Sequence, residues 1–184
     1  MKGRTMSTFE FIGHLDLATS SRCNRANHRW IGRAFQLISR LGNGRFWYAL
    51  MIALPLVHGR AGLCLALLMM AVGAVGTFVY RLVKHGTRRL RPCEVAPALH
   101  ITELPLDRFS FPSGHTLHAV AFTILVCWTF PVWSALLWPF AALVALSRLV
   151  LGLHYPSDVL MGAAIGGGLA ALGIALTGDL TLAG

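Results

Sequence analysis

From Thr116 to Ser147 the chain contains no Asp, Glu, Lys or Arg. An α-helix rises about 1.5 Å per residue and a bilayer's hydrocarbon is about 30 Å thick, so this run is too long for one crossing and just long enough for two. The reversal is expected at Phe130-Pro131-Val132, because proline interrupts a helix there. The remainder of the chain agrees: 55% of its 184 residues are hydrophobic, 12% are charged, and the mean hydropathy is +0.63. Those values exclude an ordinary soluble domain and point to a membrane protein.

Three more apolar runs are candidate spans. Residues 46–57 form a short one, bounded by Gly42-Asn43-Gly44 and His58-Gly59-Arg60, and residues 61–80 form a longer one. Residues 159–178 carry Gly162 and Gly166 at the spacing that allows close helix contact in lipid, although glycine is common in spans for other reasons. Between them, residues 84–111 contain Pro92, Pro97 and Pro105 and are expected as a polar loop outside the hydrocarbon. The expected fold is therefore all-α, a polytopic transmembrane helix bundle of five spans, or six if the amino-terminal segment adds one. Residues 46–184 would form the membrane domain and residues 1–45 an amino-terminal interfacial segment. Within that segment Trp30, Ile31, Ala34, Leu37, Ile38 and Leu41 recur at helical spacing among Arg29, Arg33 and Arg40. This reads as an amphipathic helix on the membrane surface or, equally, as a helix packed on the bundle. The first residues lack the apolar core and cleavage site of a signal peptide.

Sixteen Lys and Arg against seven Asp and Glu give a formal charge of +9. Such a balance suits nucleic acid, anionic lipid or a phosphorylated substrate. The hydrophobicity excludes nucleic acid, and the arginines lie beside apolar runs, where head groups would be. Of the four cysteines, Cys64 and Cys127 lie in apolar runs and read as small hydrophobes; Cys23 and Cys93 lie in polar stretches without a spacing that favours a disulfide.

The loop after the second span, the start of the third and the junction of the fourth and fifth must face one side of the membrane, which brings three distant polar clusters to one face. In the first, Lys84 and Arg91 are two helical turns apart and would project together if the preceding helix continues; a basic stretch after a span is more often a topology signal. In the second, Pro112-Ser113-Gly114-His115 opens an apolar helix, so Ser113 is a candidate N-cap and the free first-turn N–H groups could hold phosphate oxygens; alone it is an ordinary capped helix start. In the third, Arg148 is followed by His154 and Asp158, four apart, a spacing that lets a carboxylate orient an imidazole if the chain is helical, with Pro156 against that geometry. Together the clusters hold three cations, two histidines and one acid, the set required for phosphoryl transfer. Asp158 is the sole acid within them, which favours a mechanism without metal.

Lys84 to Arg91-Pro92, then Pro112-Ser113-Gly114-His115, then Ser147-Arg148 through His154 to Asp158 resemble the three-part signature of the type 2 phosphatidic acid phosphatase superfamily, over residues 46–178. The resemblance implies that His154 attacks phosphorus and carries a phosphohistidine, Asp158 orients it, and His115 protonates the leaving oxygen and then activates water. It implies that Lys84, Arg91, Ser113, Gly114 and Arg148 bind the phosphate, that no metal or other cofactor is used, and that the partners are the membrane and a phosphorylated lipid. It also implies a bacterial inner membrane with the site facing the periplasm. Five spans would then place Arg22, Arg25, Arg29, Arg33 and Arg40 on the outer side, against the positive-inside tendency.

Three competing functions follow. Cys23 and Arg29 match the Cys-x5-Arg spacing of cysteine-dependent phosphatases, but no strand precedes them and no glycine lies between them. A phosphohistidine could pass its phosphoryl group to an alcohol rather than to water, making a lipid phosphotransferase. A silent lipid-binding protein would need no nucleophile. Polyprenyl phosphate or pyrophosphate, phosphatidate, phosphatidylglycerophosphate and lipid A are all admissible substrates, and the short loops favour the polyprenyl carrier.

Overall fold

The computed structural model describes residues 8–105 and 107–178. These residues form helices joined by short turns and by one long loop, described over 96–105 and 107–113, with an isolated antiparallel bridge between Leu90 and Phe109. In chain order the helices are α1 (Thr8–Asn24), α2 (Arg29–Arg40), α3 (Phe46–Thr87), the single turn α4 (Pro92–Val95), α5 (Gly114–Thr129), α6 (Ser134–Val150) and α7 (Pro156–Thr177).

Gly59 divides α3 into two legs. Its φ of 57° and ψ of −132° are not helical, and that combination is open essentially to glycine alone. A Cβ built on Gly62 would lie 2.1 Å from the Leu54 carbonyl oxygen. Eight residues along a straight helix span about 12 Å, so the chain folds back at Gly59. The reversal falls where His58-Gly59-Arg60 places it. The second leg, however, continues to Thr87 rather than ending near Tyr80, which puts Lys84 in the last helical turn and corrects the start of the polar loop to Arg88. Arg88 stops the helix with a left-handed φ of 49°. The Phe130-Pro131-Val132 turn is also as expected, a short 3-10 turn over Pro131–Trp133.

Among the described residues three helical stretches are long and apolar enough to cross a membrane: Arg29–Thr87, which contains the Gly59 break, Pro131–Val150 and Pro156–Thr177; Gly114–Thr129 is apolar but shorter. Trp47, Leu65, Met69, Leu125 and Leu137 are buried inside the bundle, while Leu56, Phe78, Leu160 and Leu176 face outwards. Large apolar side chains on both the inner and outer faces suit lipid as solvent and would be unstable in water. The protein is an integral membrane protein.

Helix α5 is central, packed against α3, α6 and most extensively α7. Gly162 and Gly166 supply the α7 contact: a Cβ at either would lie 2.5 Å from the Ser113 oxygen or 2.2 Å from that of Leu117. The small-residue spacing therefore serves a backbone-to-backbone approach. Helix α2 packs on α6, where its buried Ser39 meets Arg148, and its buried Gly32 lies against Asn27 and Thr102, with Trp30, Ile31 and Leu37 exposed. The loop below is pinned to this amino-terminal region by two buried asparagines. Asn24 donates to the carbonyls of His100 and Val150, each at 2.9 Å, and accepts from His100 N at 2.7 Å, while Asn27 donates to His100 O at 2.6 Å.

Candidate active site

The three polar clusters converge on one cavity of about 970 Å³, whose wall includes Lys84, Arg91, Gly114, His115, Arg148 and His154. Ser113 and Asp158 are fully buried behind that wall.

Lys84 and Arg91 reach it by a route different from a continuing helix. After α3 stops at Thr87 the chain reverses, and both side chains come together on one carboxylate that their spacing did not reveal, that of Asp107. Lys84 Nζ donates to the two Asp107 oxygens at 2.8 and 2.7 Å and to Phe109 O at 3.0 Å. Arg91 donates from one terminal nitrogen to Asp107 Oδ1 at 2.6 Å, from Nε to the Asp107 carbonyl at 2.9 Å, and from the other terminal nitrogen to Leu153 O at 2.6 Å. Burial pushes the Asp107 carboxyl up, but its hydrogen bonds with Lys84 and the charges of Lys84 and Arg91 outweigh this and hold it below the usual carboxylate range.

Ser113 is the N-cap of α5, its Oγ accepting from Thr116 N at 3.4 Å and lying 3.0 Å from Thr116 Oγ1. The cap leaves Gly114 and His115 in the first turn, facing the cavity, where the positive end of the helix favours an anion.

Arg148 ends α6 fully buried. Its guanidinium donates to Ser39 Oγ of α2 and lies 3.9 Å from Glu103; its Nε is buried with no hydrogen-bond partner among the described residues. Gly152, with φ of 69°, then turns the chain so that the N–H groups of Leu153 and His154 both return to the Arg148 carbonyl, at 3.1 and 3.2 Å. This fixes His154 beside Arg148.

Pro156 is compatible with the His154 and Asp158 pair because α7 begins at it. A proline in the first helical position has no N–H to lose, and Asp158 two residues on accepts from Tyr155 N at 2.8 Å. His154 Nδ1 lies 3.5 Å from Asp158 Oδ2, longer than a good N–H···O bond but close enough to orient a ring. On its other side, His154 Nε2 is 3.1 Å from a terminal nitrogen of Arg91. A guanidinium can only donate, so Nε2 accepts, the ring proton resides on Nδ1, and the Nε2 lone pair is directed at Arg91 within the cavity wall. Burial, followed by the charges of Arg91, Arg148 and Lys84 and by His115, pushes the His154 imidazole well below its usual range and keeps it neutral.

Four charged residues around the site were missed in the sequence: Asp16, Arg89, Glu103 and Asp107. Asp158 is thus not the sole acid near the clusters. Each added carboxylate faces a cation: Asp16 faces Arg89, Glu103 lies between Arg40 and Arg148, and Asp107 faces Lys84 and Arg91. The Cys-x5-Arg segment contributes nothing to the cavity wall, and the four cysteines are free thiols.

The sequence profile of the PAP2 superfamily matches residues 61–181, the family that the three motifs resemble. A decaprenylphosphoryl-5-phosphoribose phosphatase of Mycobacterium tuberculosis is 36% identical over 107 residues, covering 55% of this chain and 57% of the relative. The chain thus matches a little over half the length of that relative. Among solved structures, Aquifex aeolicus LpxE is 26% identical with a TM-score of 0.76, covering 88% of this chain and 95% of that one. The transmembrane PAP2-type phosphatidylglycerolphosphate phosphatase of Bacillus subtilis gives a TM-score of 0.74 at 22% identity, over 92% and 88% of the two chains.

Proposed function

The chain belongs to the PAP2 superfamily, and from that premise we propose that it is a lipid phosphatase of five spans acting through a phosphohistidine at His154, without metal, on a polyprenyl phosphate or pyrophosphate. The observation that supports this reading best is the tautomer of His154: Arg91 requires an acceptor at Nε2, so the unprotonated nitrogen keeps its lone pair at the wall of a cavity lined by cations, free for attack once a phosphoryl oxygen takes the Arg91 N–H in its place. In the first step that lone pair forms a bond to phosphorus as the bond to the lipid oxygen breaks, and His115, entering the step protonated, gives the departing oxygen its proton and is left neutral. In the second, His115 takes a proton from water, whose oxygen bonds to phosphorus as the P–N bond breaks. Lys84, Arg91, Arg148 and the first-turn N–H groups of α5 hold the phosphoryl oxygens, whose charge grows in the transition state. The unpartnered Nε of Arg148 is a donor suited to one of them.

The lipid part of the reading is supported by the other end of the cavity. Trp47, Met51, Met69, Met70 and Phe122 line it below the cations, giving a phosphoryl ester an apolar slot for its chain. The polyprenyl preference draws support from the M. tuberculosis relative, whose name specifies a decaprenyl substrate, and from the small amount of protein outside the bundle. The proposed location is an inner membrane with the cavity facing outwards and α2 lying at that surface.

Phosphate release by detergent-solubilised protein tests the proposal, with polyprenyl mono- and diphosphates, phosphatidate, phosphatidylglycerophosphate and lipid A compared against His154→Ala. His154→Ala and Asp158→Ala should lower kcat by about 10³-fold or more, as expected for a nucleophile and its orienting acid. Arg91→Ala and Arg148→Ala should weaken both KM and kcat. EDTA should have no effect; loss of activity restored by a divalent ion would refute the metal-free mechanism. Cys23→Ser should turn over as the parent does.

A further inference from the structure

Behind the cavity, and outside its wall, a second charged layer grips the back of Asp158. Arg89 donates from one terminal nitrogen to Asp158 Oδ1 at 2.8 Å and to Ser157 Oγ at 2.6 Å. From the other it donates to Asp16 Oδ2 at 2.6 Å. Its guanidinium lies 4.0 Å from the centre of the Tyr155 ring, so its plane is held as well as its ends. Asp16 projects from α1, is 5% exposed, and accepts from Ser157 N at 3.1 Å and from Ser157 Oγ. Neither Arg89 nor Asp16 lines the cavity, and Asp16 lies outside the residues matched by the family profile.

We propose that Arg89 and Asp16 are positioning residues that set the orientation and charge of the His154–Asp158 pair. This inference rests on the reading of His154 as the nucleophile. The two Asp158 oxygens are divided by their partners: Arg89 takes Oδ1, which leaves Oδ2 for Tyr155 N and the Nδ1 side of His154. Without Arg89 the carboxylate would be completely buried with no cation, a state proteins avoid by neutralising the group. Arg91 at Nε2 and Asp158 near Nδ1 favour the Nδ1-protonated ring jointly, and a neutral or rotated Asp158 leaves Arg91 alone to hold it. Asp16 serves a different purpose. One guanidinium shared between two carboxylates leaves the trio with one net negative charge. The imidazole that keeps its Nδ1 proton while bonded to phosphorus carries one positive charge, so the trio is matched to the phosphoenzyme rather than to the resting ring.

Steady-state and rapid-quench measurements on detergent-solubilised full-length protein decide this, using a polyprenyl monophosphate. Arg89→Met should lower kcat and the rate of His154 phosphorylation by about 100-fold, the upper range for removing a residue that orients a functional ligand, with KM within about twofold. Arg89→Lys should recover about tenfold of that loss, and Asp16→Asn alone should cost about fivefold. Arg89→Met turning over like the parent, or KM rising in step with the fall in kcat, would overturn the inference. The ¹⁵N imidazole shifts of His154 report the tautomer without any turnover. The Nδ1-protonated form should dominate in the parent and become mixed in Arg89→Met or, should that variant fail to fold, in Arg89→Lys. An unchanged tautomer would also overturn the inference. A parent protein that released phosphate from no lipid would refute the phosphatase reading instead, and the tautomer would still decide the role of Arg89.

Discussion

His154 is surrounded by cations that make its protonation costly, and this has a consequence for stability. Burial and the neighbouring charges lower its pKa well below the usual value of about 6.5. Below that pH the unfolded chain binds a proton that the folded chain refuses, so the folded state loses ground as pH falls. The contribution is complete above pH about 6.5 and shrinks below it. The apparent melting temperature in detergent should therefore drop between pH 7 and pH 5, and His154→Asn should flatten part of that slope. Asp107 behaves differently, since Lys84 and Arg91 hold its pKa below the usual carboxylate range. Its ion pairs stay intact above pH about 3.9 and are lost only as pH falls through the lower folded value. The residues that bear the proposed chemistry were legible because they recur at fixed spacing within three short motifs. Asp107, Arg89 and Asp16 were not, because no spacing links them to their partners. Asp16 and Arg89 are 73 positions apart, and they meet because Arg89, in the turn after α3, reaches both α1 and the first turn of α7.

At the level of elements, the ends of the helices were easier to read than their continuity. Pro131, the serine cap at 113 and the glycine at 59 each mark a boundary in the folded chain, whereas Pro156, read against a helical His154–Asp158 spacing, in fact opens α7. The extension of α3 to Thr87 was hidden, because the polar residues after Tyr80 read as a loop when they are in fact a helix emerging from the apolar layer. The α5–α7 contact gives the sharpest test of element packing. Gly166→Ala puts a methyl group 2.2 Å from a main-chain oxygen that has no freedom to turn away. It should destabilise the bundle by about 1–3 kcal/mol, the usual cost of overpacking. Since α5 carries Gly114 and His115 at its start, activity should fall more than the loss of stability alone accounts for. Thermal unfolding and phosphate release on the same sample measure the two effects.

At the level of the whole molecule, membrane residence was apparent from composition alone, whereas orientation was not. Helix packing is the same whichever leaflet the cavity faces, and the arginines of α2 and the family's usual placement point in opposite directions. The two ends of the bundle can be tagged separately. Leu104 in the long loop and Val132 at the Pro131–Trp133 turn are 83% and 81% exposed, and α5 runs between these two ends. In a background lacking the natural cysteines, Leu104→Cys should react with an impermeant thiol reagent in intact cells and Val132→Cys only after lysis. The reverse pattern would turn the protein over in the membrane, and labelling of both from one side would refute the bundle itself.

The asparagine clasp has a bearing on protein engineering. Asn24 and Asn27 hold the backbone of His100, and Asn24 also holds that of Val150. A chimaera that transplanted residues 61–181 onto another family member's leader would sever these clasps together with the Asp16 contact. Such hybrids should express as helical membrane proteins yet turn over slowly, and restoring residues 12–40 from the same parent should be the graft that revives them.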